Sequence, residues 1–139
     1  MKQEEAYITD DLLSAFEGLA PTPIASASIE GVPNVTYLSQ VYYVDRQHLA
    51  LSRQFFNKTI KNITENPVVC VIVVCPIQLA IFKIKMRFIE SQTEGDLFDS
   101  MKLQLEVIAA MQGQENVFNL AAADIYRVIS IEKVYTRTR

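Results

Sequence analysis

Several polar and basic residues lie close together in the sequence where one predicted strand ends and the next helix begins. The chain leaves an apolar segment through Ser52 and Arg53 and enters a short helix through Asn57, Lys58 and Thr59. The first N–H groups of a helix lack partners, and the helix dipole places partial positive charge at the same end. Because a cation and a hydroxyl lie in that first turn, the arrangement favours a bound anion such as a phosphate group.

The same residues permit a simpler interpretation. Lys58, Lys61 and Glu65 can form the solvated face of a short surface helix that Asn57 caps. An Asn-Pro pair at residues 66–67 then ends that helix, because proline cannot continue it. From spacing alone, the phosphate site and the capped surface helix remain equally open.

Length and composition restrict the classes of function. The chain has 139 residues, half of them hydrophobic, and a net charge of -3, so we expect one domain and no nucleic-acid partner. The charged start precedes no long apolar segment, and the longest apolar run, at 67–77, is about half of a bilayer span. We therefore expect a cytoplasmic protein without a membrane segment: a single domain over 1–139, with flexible ends at about 1–8 and 135–139.

Metal and thiol chemistry are not expected. Cys70 and Cys75 lie at an odd separation in one predicted strand, so they point to opposite faces about 16 Å apart, too far for a disulfide. His48 is the only histidine and lies in a polar turn. A zinc site and a Cys-His catalytic pair both lack the residues they require.

Hydrophobic periodicity predicts six strands and three helices. The strands are predicted at residues 24–29, 32–44, 49–52, 68–74, 78–89 and 122–134, and the helices near 10–18, between 57 and 66, and from about 94 to 112. A change of face near Phe82 indicates a β-bulge. Short connections favour antiparallel pairing, and closure into a small barrel removes exposed edges. The fold class is therefore predicted to be α+β, a six-stranded, mostly antiparallel β-barrel with a few flanking helices.

Several sequence blocks resemble the FMN-binding split-barrel family typified by pyridoxamine 5'-phosphate oxidase. They are GVPNVTYLS at 31–39, LALS at 49–52 and NKT at 57–59, followed by Asn62 and by ENP at 65–67. The order and spacing of these blocks match that family over roughly residues 20–90. The resemblance implies a split barrel, a homodimer with FMN at the subunit interface, and oxidoreductase chemistry on an unidentified small substrate.

The resemblance also implies which residues hold the cofactor. The strand residues that would line the flavin ring are Asn34, Val35, Thr36, Tyr37, Leu38 and Ser39. Ser52 and Arg53 would approach the ribityl chain and the phosphate. The phosphate itself would be bound by Asn57, Lys58 and Thr59. Gln78, at the start of the next strand, would contact the flavin ring.

Other segments support an alternative function. Residues 93–98 and 123–128 are similar to a bacterial subgroup that is commonly found N-terminal to GAF and signalling domains. The oxidases also carry a C-terminal segment, rich in Arg and with Trp, that grips the substrate phosphate, whereas this chain contains no Trp. The alternative is a non-catalytic sensory module that binds a flavin or another phosphate-bearing cofactor. Haem is a further option, because some split barrels bind it.

Overall fold

The computed structural model describes residues 6–16, 21–53, 57–111, 113 and 119–136. The described strands are β1 (Thr22–Ala27), β2 (Pro33–Leu38), β3 (Val41–Asp45), β4 (His48–Arg53), β5 (Val68–Cys75), β6 (Ala80–Gln92) and β7 (Ala122–Thr136). The described helices are a 3-10 helix (Asp10–Phe16), α1 (Asn57–Glu65) and α2 (Asp96–Met111). All the strand pairings are antiparallel, so the predicted α+β class is confirmed.

The described part of the chain has seven strands where the sequence predicted six. The predicted segment 32–44 is two strands, β2 and β3, separated by Ser39 and Gln40. β2 pairs with β1, whereas β3 pairs with β4. The Gln40 carbonyl accepts a hydrogen bond from the Ser52 N–H of β4 over 3.3 Å. The chain therefore turns a corner at Gln40, because the two halves of the segment pair with different strands.

The sheet has the order β2-β1-β5-β6-β7-β4-β3. Its two edge strands, β2 and β3, follow each other in the chain with only Ser39 and Gln40 between them. Since two residues span only a short distance, the sheet has to curl until its edges meet. This curled, antiparallel sheet is the predicted split barrel.

The β6–β7 register does shift between Ile81 and Phe82, but the extra residue is Val134 of β7. Burial alternates without interruption through Phe82 in β6, so the predicted change of face in that strand is wrong. The first predicted helix is a 3-10 helix described to Phe16, and its predicted end at Gly18 lies outside the described residues. Cys70 and Cys75 are both free and alternate in burial along β5.

The ends predicted to be flexible lie mostly outside the described residues. Ile8 is the last residue of the predicted flexible N-terminal end at about 1–8. It is fully buried, and its N–H donates to the Arg46 carbonyl over 2.7 Å. No described helix is both long enough and apolar enough to cross a membrane.

The barrel interior is apolar, and a helix closes each of its ends. The 3-10 helix places Leu12 and Phe16 in the core near the end of β5, where Ser14 Oγ lies 3.1 Å from Cys75 Sγ. α1 places Ile63 in the same core at the other end, near the start of β5.

A second, smaller core lies outside the barrel. Met101 and Leu105 of α2 pack with Ala50 of β4 and Ala123 of β7. α2 therefore covers the outer surface of β4 and β7. The outer surface of β2, β1 and β5 is left without a covering helix among the described elements.

Candidate functional site

The first turn of α1 is tied to β2 by a side-chain hydrogen bond. Asn34 Nδ2 donates to Thr59 Oγ1 over 3.2 Å, and one turn later Asn62 Nδ2 donates to Ser26 Oγ over 3.1 Å. Thr59 and Asn62 are both only 2% exposed. These bonds bring together two of the sequence blocks that the resemblance assigned to one site, the strand at 34–39 and the helix start at 57–59.

Lys58 is the exposed cation of this helix start. No described carboxylate forms an ion pair with it. Asn57 is the first residue of α1, and its side chain lies outside the described residues. A free ammonium group beside unpaired helix N–H groups can bind an anion, because charge and hydrogen-bond donors meet at one place.

The Arg53 guanidinium hydrogen-bonds to side chains of β6 and β7. Its Nε donates to Asp124 Oδ2 over 2.8 Å, and its Nη2 donates to Ser91 Oγ over 3.1 Å. Ser91 Oγ in turn donates to Asp124 Oδ1 over 2.6 Å, and Asp124 is 2% exposed. The guanidinium is thus held against β6 and β7, and its approach to a phosphate stays a prediction.

Ser52, the other residue expected near the ribityl chain, is fully buried. Its hydroxyl donates to the Gln40 carbonyl over 3.5 Å. This hydroxyl therefore supports the corner between β2 and β3 in the protein as described.

The predicted ring-lining residues fall on both faces of β2. Val35 and Tyr37 are each 67% exposed, whereas Asn34 and Thr36 are half-buried and Leu38 is buried. Successive side chains of a strand point to opposite faces, so a planar ring can pack against only one of these two sets. Ser39 follows the strand at the corner.

Gln78 lies at the opposite end of the barrel from α1. It belongs to the turn before β6 rather than to the strand itself. Its Nε2 donates to Asp11 Oδ2 over 2.9 Å, beside the 3-10 helix. Hydrogen bonds from Thr9 and then Gln78 lower the pKa of Asp11. One copy of the chain therefore does not bring Gln78 next to Lys58 and Thr59.

Sequence reasoning missed two buried polar residues near the predicted site. Asp124 interrupts a buried stretch of β7, and a carboxylate in such a stretch is itself a signal that a cation lies nearby. Gln40 is fully buried, and its Nε2 donates to Gln104 Oε1 over 2.7 Å. Gln40 Oε1 has no hydrogen-bond partner among the described residues.

Comparison with known proteins gives one family match. The family model of pyridoxamine 5'-phosphate oxidase matches residues 8–129. Among curated protein sequences there is no significant match.

Similar solved structures carry names that refer to different ligands. An FMN-binding protein from Syntrophomonas wolfei subsp. wolfei superposes with a TM-score of 0.74 at 15% identity, over 93% of this chain and 89% of that one. An F420 reductase has a TM-score of 0.63 at 16% identity, over 90% and 98%. The haem storage protein HutZ from Vibrio cholerae has a TM-score of 0.57 at 12% identity, over 91% and 96%. At these identities the likeness shows the fold alone.

Proposed function

This chain belongs to the pyridoxamine 5'-phosphate oxidase family, and we propose that it is an FMN-binding flavoprotein that acts as an oxidoreductase on a small substrate. The observation that carries the proposal is the start of α1, where the exposed Lys58 lies next to a helix turn that Asn34 ties to β2. The structural likeness to an FMN-binding protein supports the same cofactor. A cytoplasmic location is proposed on the sequence alone.

The residues present fit a phosphate-bearing cofactor. Lys58 would supply charge to the phosphate, and the N–H groups of the first helical turn would donate hydrogen bonds to it. Thr59 is held by Asn34, which fixes this turn relative to β2. The outward-facing residues of β2, Val35 and Tyr37, would offer an apolar surface to the ring.

Bound FMN would supply the redox chemistry, because flavins accept and donate hydride. The chain's own residues would then bind, orient and shield. Haem fits less well, because it needs an axial ligand such as histidine. His48 is the only histidine, and its Nδ1 lies 2.8 Å from Asp45 Oδ1 at the turn between β3 and β4.

A homodimer is part of this proposal. The apolar outer face consists of outward-facing residues of three neighbouring strands: Val35 and Tyr37 of β2, Ala25 of β1, and Ile72 and Val74 of β5. Ala25 pairs with Val35 on one side and Cys70 on the other, so the strip is continuous. Lys83 and Lys85 of β6 border it, since they pair with Ile72 and Cys70. An apolar centre with a charged rim is typical of a protein interface.

A second copy of the chain would also explain how a Gln78 side chain could contact the flavin ring. Within one chain, Gln78 and α1 lie at opposite ends of the barrel. Gln78 of the partner subunit would therefore have to supply the predicted ring contact. A cofactor at the subunit interface satisfies this requirement.

The second candidate is a non-catalytic cofactor-binding module. None of the 139 residues is a Trp, so none of them matches the Trp of the segment with which the oxidases grip their substrate. Such a module would bind the flavin without turning over a substrate.

An absorption spectrum and a fluorescence titration test the proposal. We expect the purified protein either to carry a flavin absorption spectrum or to quench the fluorescence of added FMN with saturation. A colourless protein that leaves FMN fluorescence unchanged would overturn the cofactor assignment. Reduction of bound FMN by NAD(P)H with turnover of an acceptor favours the oxidoreductase, and binding without any turnover favours the sensory module.

A further inference from the structure

Two arginines lie directly opposite each other on the outer surface of the β6–β7 pair. Arg87 of β6 pairs with Arg127 of β7, and both residues are exposed. Opposite residues of an antiparallel pair point to the same face, with their Cβ atoms about 5 Å apart. Like charges at that spacing repel each other and destabilise the sheet. An anion bound between the two guanidinium groups would relieve this repulsion, because it would compensate both charges.

The next outward-facing pair adds a third cation and a hydroxyl group. Lys85 of β6 pairs with Ser130 of β7, and both residues are exposed. Neighbours on one face of a strand are only about 7 Å apart. The four residues that form this cationic block are Lys85, Arg87, Arg127 and Ser130. No described carboxylate forms an ion pair with Lys85 or Arg87, so these two charges are available to a ligand.

A β-bulge flanks the arginine pair on each side. The β6–β7 register shifts twice, and the extra residue is Ile129 of β7 on one side and Ile89 of β6 on the other. A bulge bends its strand and can change the direction of a side chain, and bulges are frequent beside active sites. The arginine pair therefore has a local geometry that a regular ladder would not give it.

Exposed carboxylates lie on three sides of the cationic block and restrict the size of its ligand. Glu132 follows the block along β7, and Glu90 follows it along β6. On the third side, Asp45 contacts His48, which is paired with β7. A long acidic peptide or an anionic membrane surface would meet these negative charges, whereas a small anion contacts only the block. The charge pattern therefore favours a small ligand.

We propose that the cationic block binds a small soluble phosphate compound. The guanidinium groups of Arg87 and Arg127 bind its phosphate oxygens, because the planar guanidinium fork matches the geometry of phosphate. Lys85 adds a point charge, and the Ser130 hydroxyl donates a hydrogen bond to the same group.

This site is separate from the start of α1. Arg87 pairs with Val68, which lies just beyond the C-terminal end of α1, whereas Lys58 lies in the first turn. The nine residues of α1 span about 13 Å. The block also lies outside the apolar outer face, since β6 only borders that face. Its ligand can therefore bind whether or not the protein binds FMN.

Calorimetric titration of the full-length protein with pyrophosphate tests the ligand class. We expect saturable binding of pyrophosphate and no sedimentation of the protein with vesicles of phosphatidylglycerol and phosphatidylcholine. A protein that does not bind pyrophosphate would overturn the proposal. Vesicle binding that Arg87→Gln abolishes would also overturn it, because the block would then contact a membrane surface.

Variants test the location. Arg87→Gln and Lys85→Gln should each weaken pyrophosphate binding about two- to fivefold, the range expected for one exposed ion pair. Lys102→Gln changes an exposed lysine of α2 and is the control, so it should bind as the wild type does. The binding that Arg87→Gln weakens should persist in Lys58→Ala. A loss in Lys58→Ala with no change in Arg87→Gln would instead assign pyrophosphate to the start of α1 and contradict the proposal.

Thermal unfolding of Arg87→Gln gives an independent measurement. Without ligand, this variant should unfold at a temperature no lower than that of the wild type, because it removes a repulsion between like charges. Pyrophosphate should raise the unfolding temperature of the wild type more than that of the variant. An unfolding temperature of Arg87→Gln well below that of the wild type would show that Arg87 stabilises the sheet itself, and equal shifts with pyrophosphate would place the ligand elsewhere. Either result would contradict the proposal.

Discussion

Asn34 Nδ2 donates a hydrogen bond to Thr59 Oγ1 over 3.2 Å, joining β2 to the first turn of α1 across 25 residues of sequence. Thr59 is buried, so water competes little for its hydroxyl. The bond fixes the helix start, and with it Lys58, relative to the strand proposed to face the flavin ring. It therefore connects the stability of the fold to the geometry of the proposed phosphate site.

A double-mutant cycle measures this connection. Asn34→Ala and Thr59→Val each remove one partner, and we expect a coupling of about 0.5–1.5 kcal/mol in the free energy of unfolding, the size of one hydrogen bond. Urea denaturation of the four proteins gives the value. Thr59→Val combined with Ser100→Ala is the control and should be additive. Additivity in the Asn34 cycle as well would show that the hydrogen bond does not form.

Removing Arg53 should destabilise the fold more than removing the charge of its partner. Arg53→Met leaves the Asp124 carboxylate, which is 2% exposed, with Ser91 as its remaining side-chain partner. We expect a loss of about 2–4 kcal/mol from the free energy of unfolding. Asp124→Asn should cost only about 1–2 kcal/mol, because the Arg53 side chain is 24% exposed and can be solvated.

The same variants test the function of Arg53. If the guanidinium serves the fold, folded Arg53→Met binds FMN almost as tightly as the wild type does. A large loss of FMN affinity with little loss of stability would instead assign Arg53 to the phosphate, as the sequence predicts.

These residues also show what spacing along the chain can and cannot predict. The helix start at Asn57, Lys58 and Thr59 was predictable, because capping residues and a following Asn-Pro pair are local signals. The Arg53–Asp124 pair joins residues 71 positions apart, and no local pattern encodes such a contact. Sequence reasoning therefore could not show that Arg53 hydrogen-bonds to Asp124 and Ser91, and its approach to a phosphate stays a prediction.

The corner at Gln40 illustrates the same limit for the fold. The segment 32–44 is rich in β-branched and aromatic residues throughout, so its pattern predicts one long strand. The break arises because the first half pairs with β1 and the second with β4. Pairing partners are set by the whole sheet, whereas the antiparallel class followed from short turns that the sequence displays.

Tyr126 should make stability depend on alkaline pH. Burial, with the Asp124 carboxylate as a second cause, raises the pKa of Tyr126 well above its ordinary value of 10.0. The folded protein therefore keeps a proton that the unfolded chain loses above that pH. Because of this residue, the free energy of unfolding should fall by about 1.4 kcal/mol per pH unit as the pH rises above about 10. Below about pH 10, the stabilising contribution of the Tyr126 proton is fully present.

Two phenylalanine variants isolate this effect. Tyr126→Phe should lose less stability than the wild type does between about pH 9 and pH 11 in urea denaturation. Tyr135→Phe replaces a tyrosine that is 56% exposed and serves as the control, so its pH dependence should follow the wild type. Parallel curves for wild type and Tyr126→Phe would contradict the raised pKa.

The apolar outer face should determine the oligomeric state. Val35 is 67% exposed, so Val35→Glu should leave the fold intact but place a charge in the proposed interface. We expect sedimentation to show a dimer for the wild type and a monomer for this variant. Leu103→Glu, on the exposed side of α2, is the matched control and should remain dimeric. A monomer from Leu103→Glu with a dimer from Val35→Glu would move the interface to α2.

Lys58 and Lys61 offer a matched pair on one helix. Both side chains are exposed, but only Lys58 lies in the first turn of α1. Lys58→Ala should weaken FMN binding by about 1–3 kcal/mol, as expected for a charge-assisted hydrogen bond, whereas Lys61→Ala should leave it almost unchanged. Neither variant should alter the free energy of unfolding by more than about 0.5 kcal/mol.

The start of α1 is proposed to hold the phosphate of a flavin cofactor, and a comparison of FMN with riboflavin tests this site. The two ligands differ only in the phosphate group. Calorimetric titration of the wild type should give FMN an affinity about tenfold or more above that of riboflavin, a difference of about 1.4 kcal/mol, and Lys58→Ala should narrow that ratio. Equal affinities for FMN and riboflavin in the wild type would contradict the phosphate site.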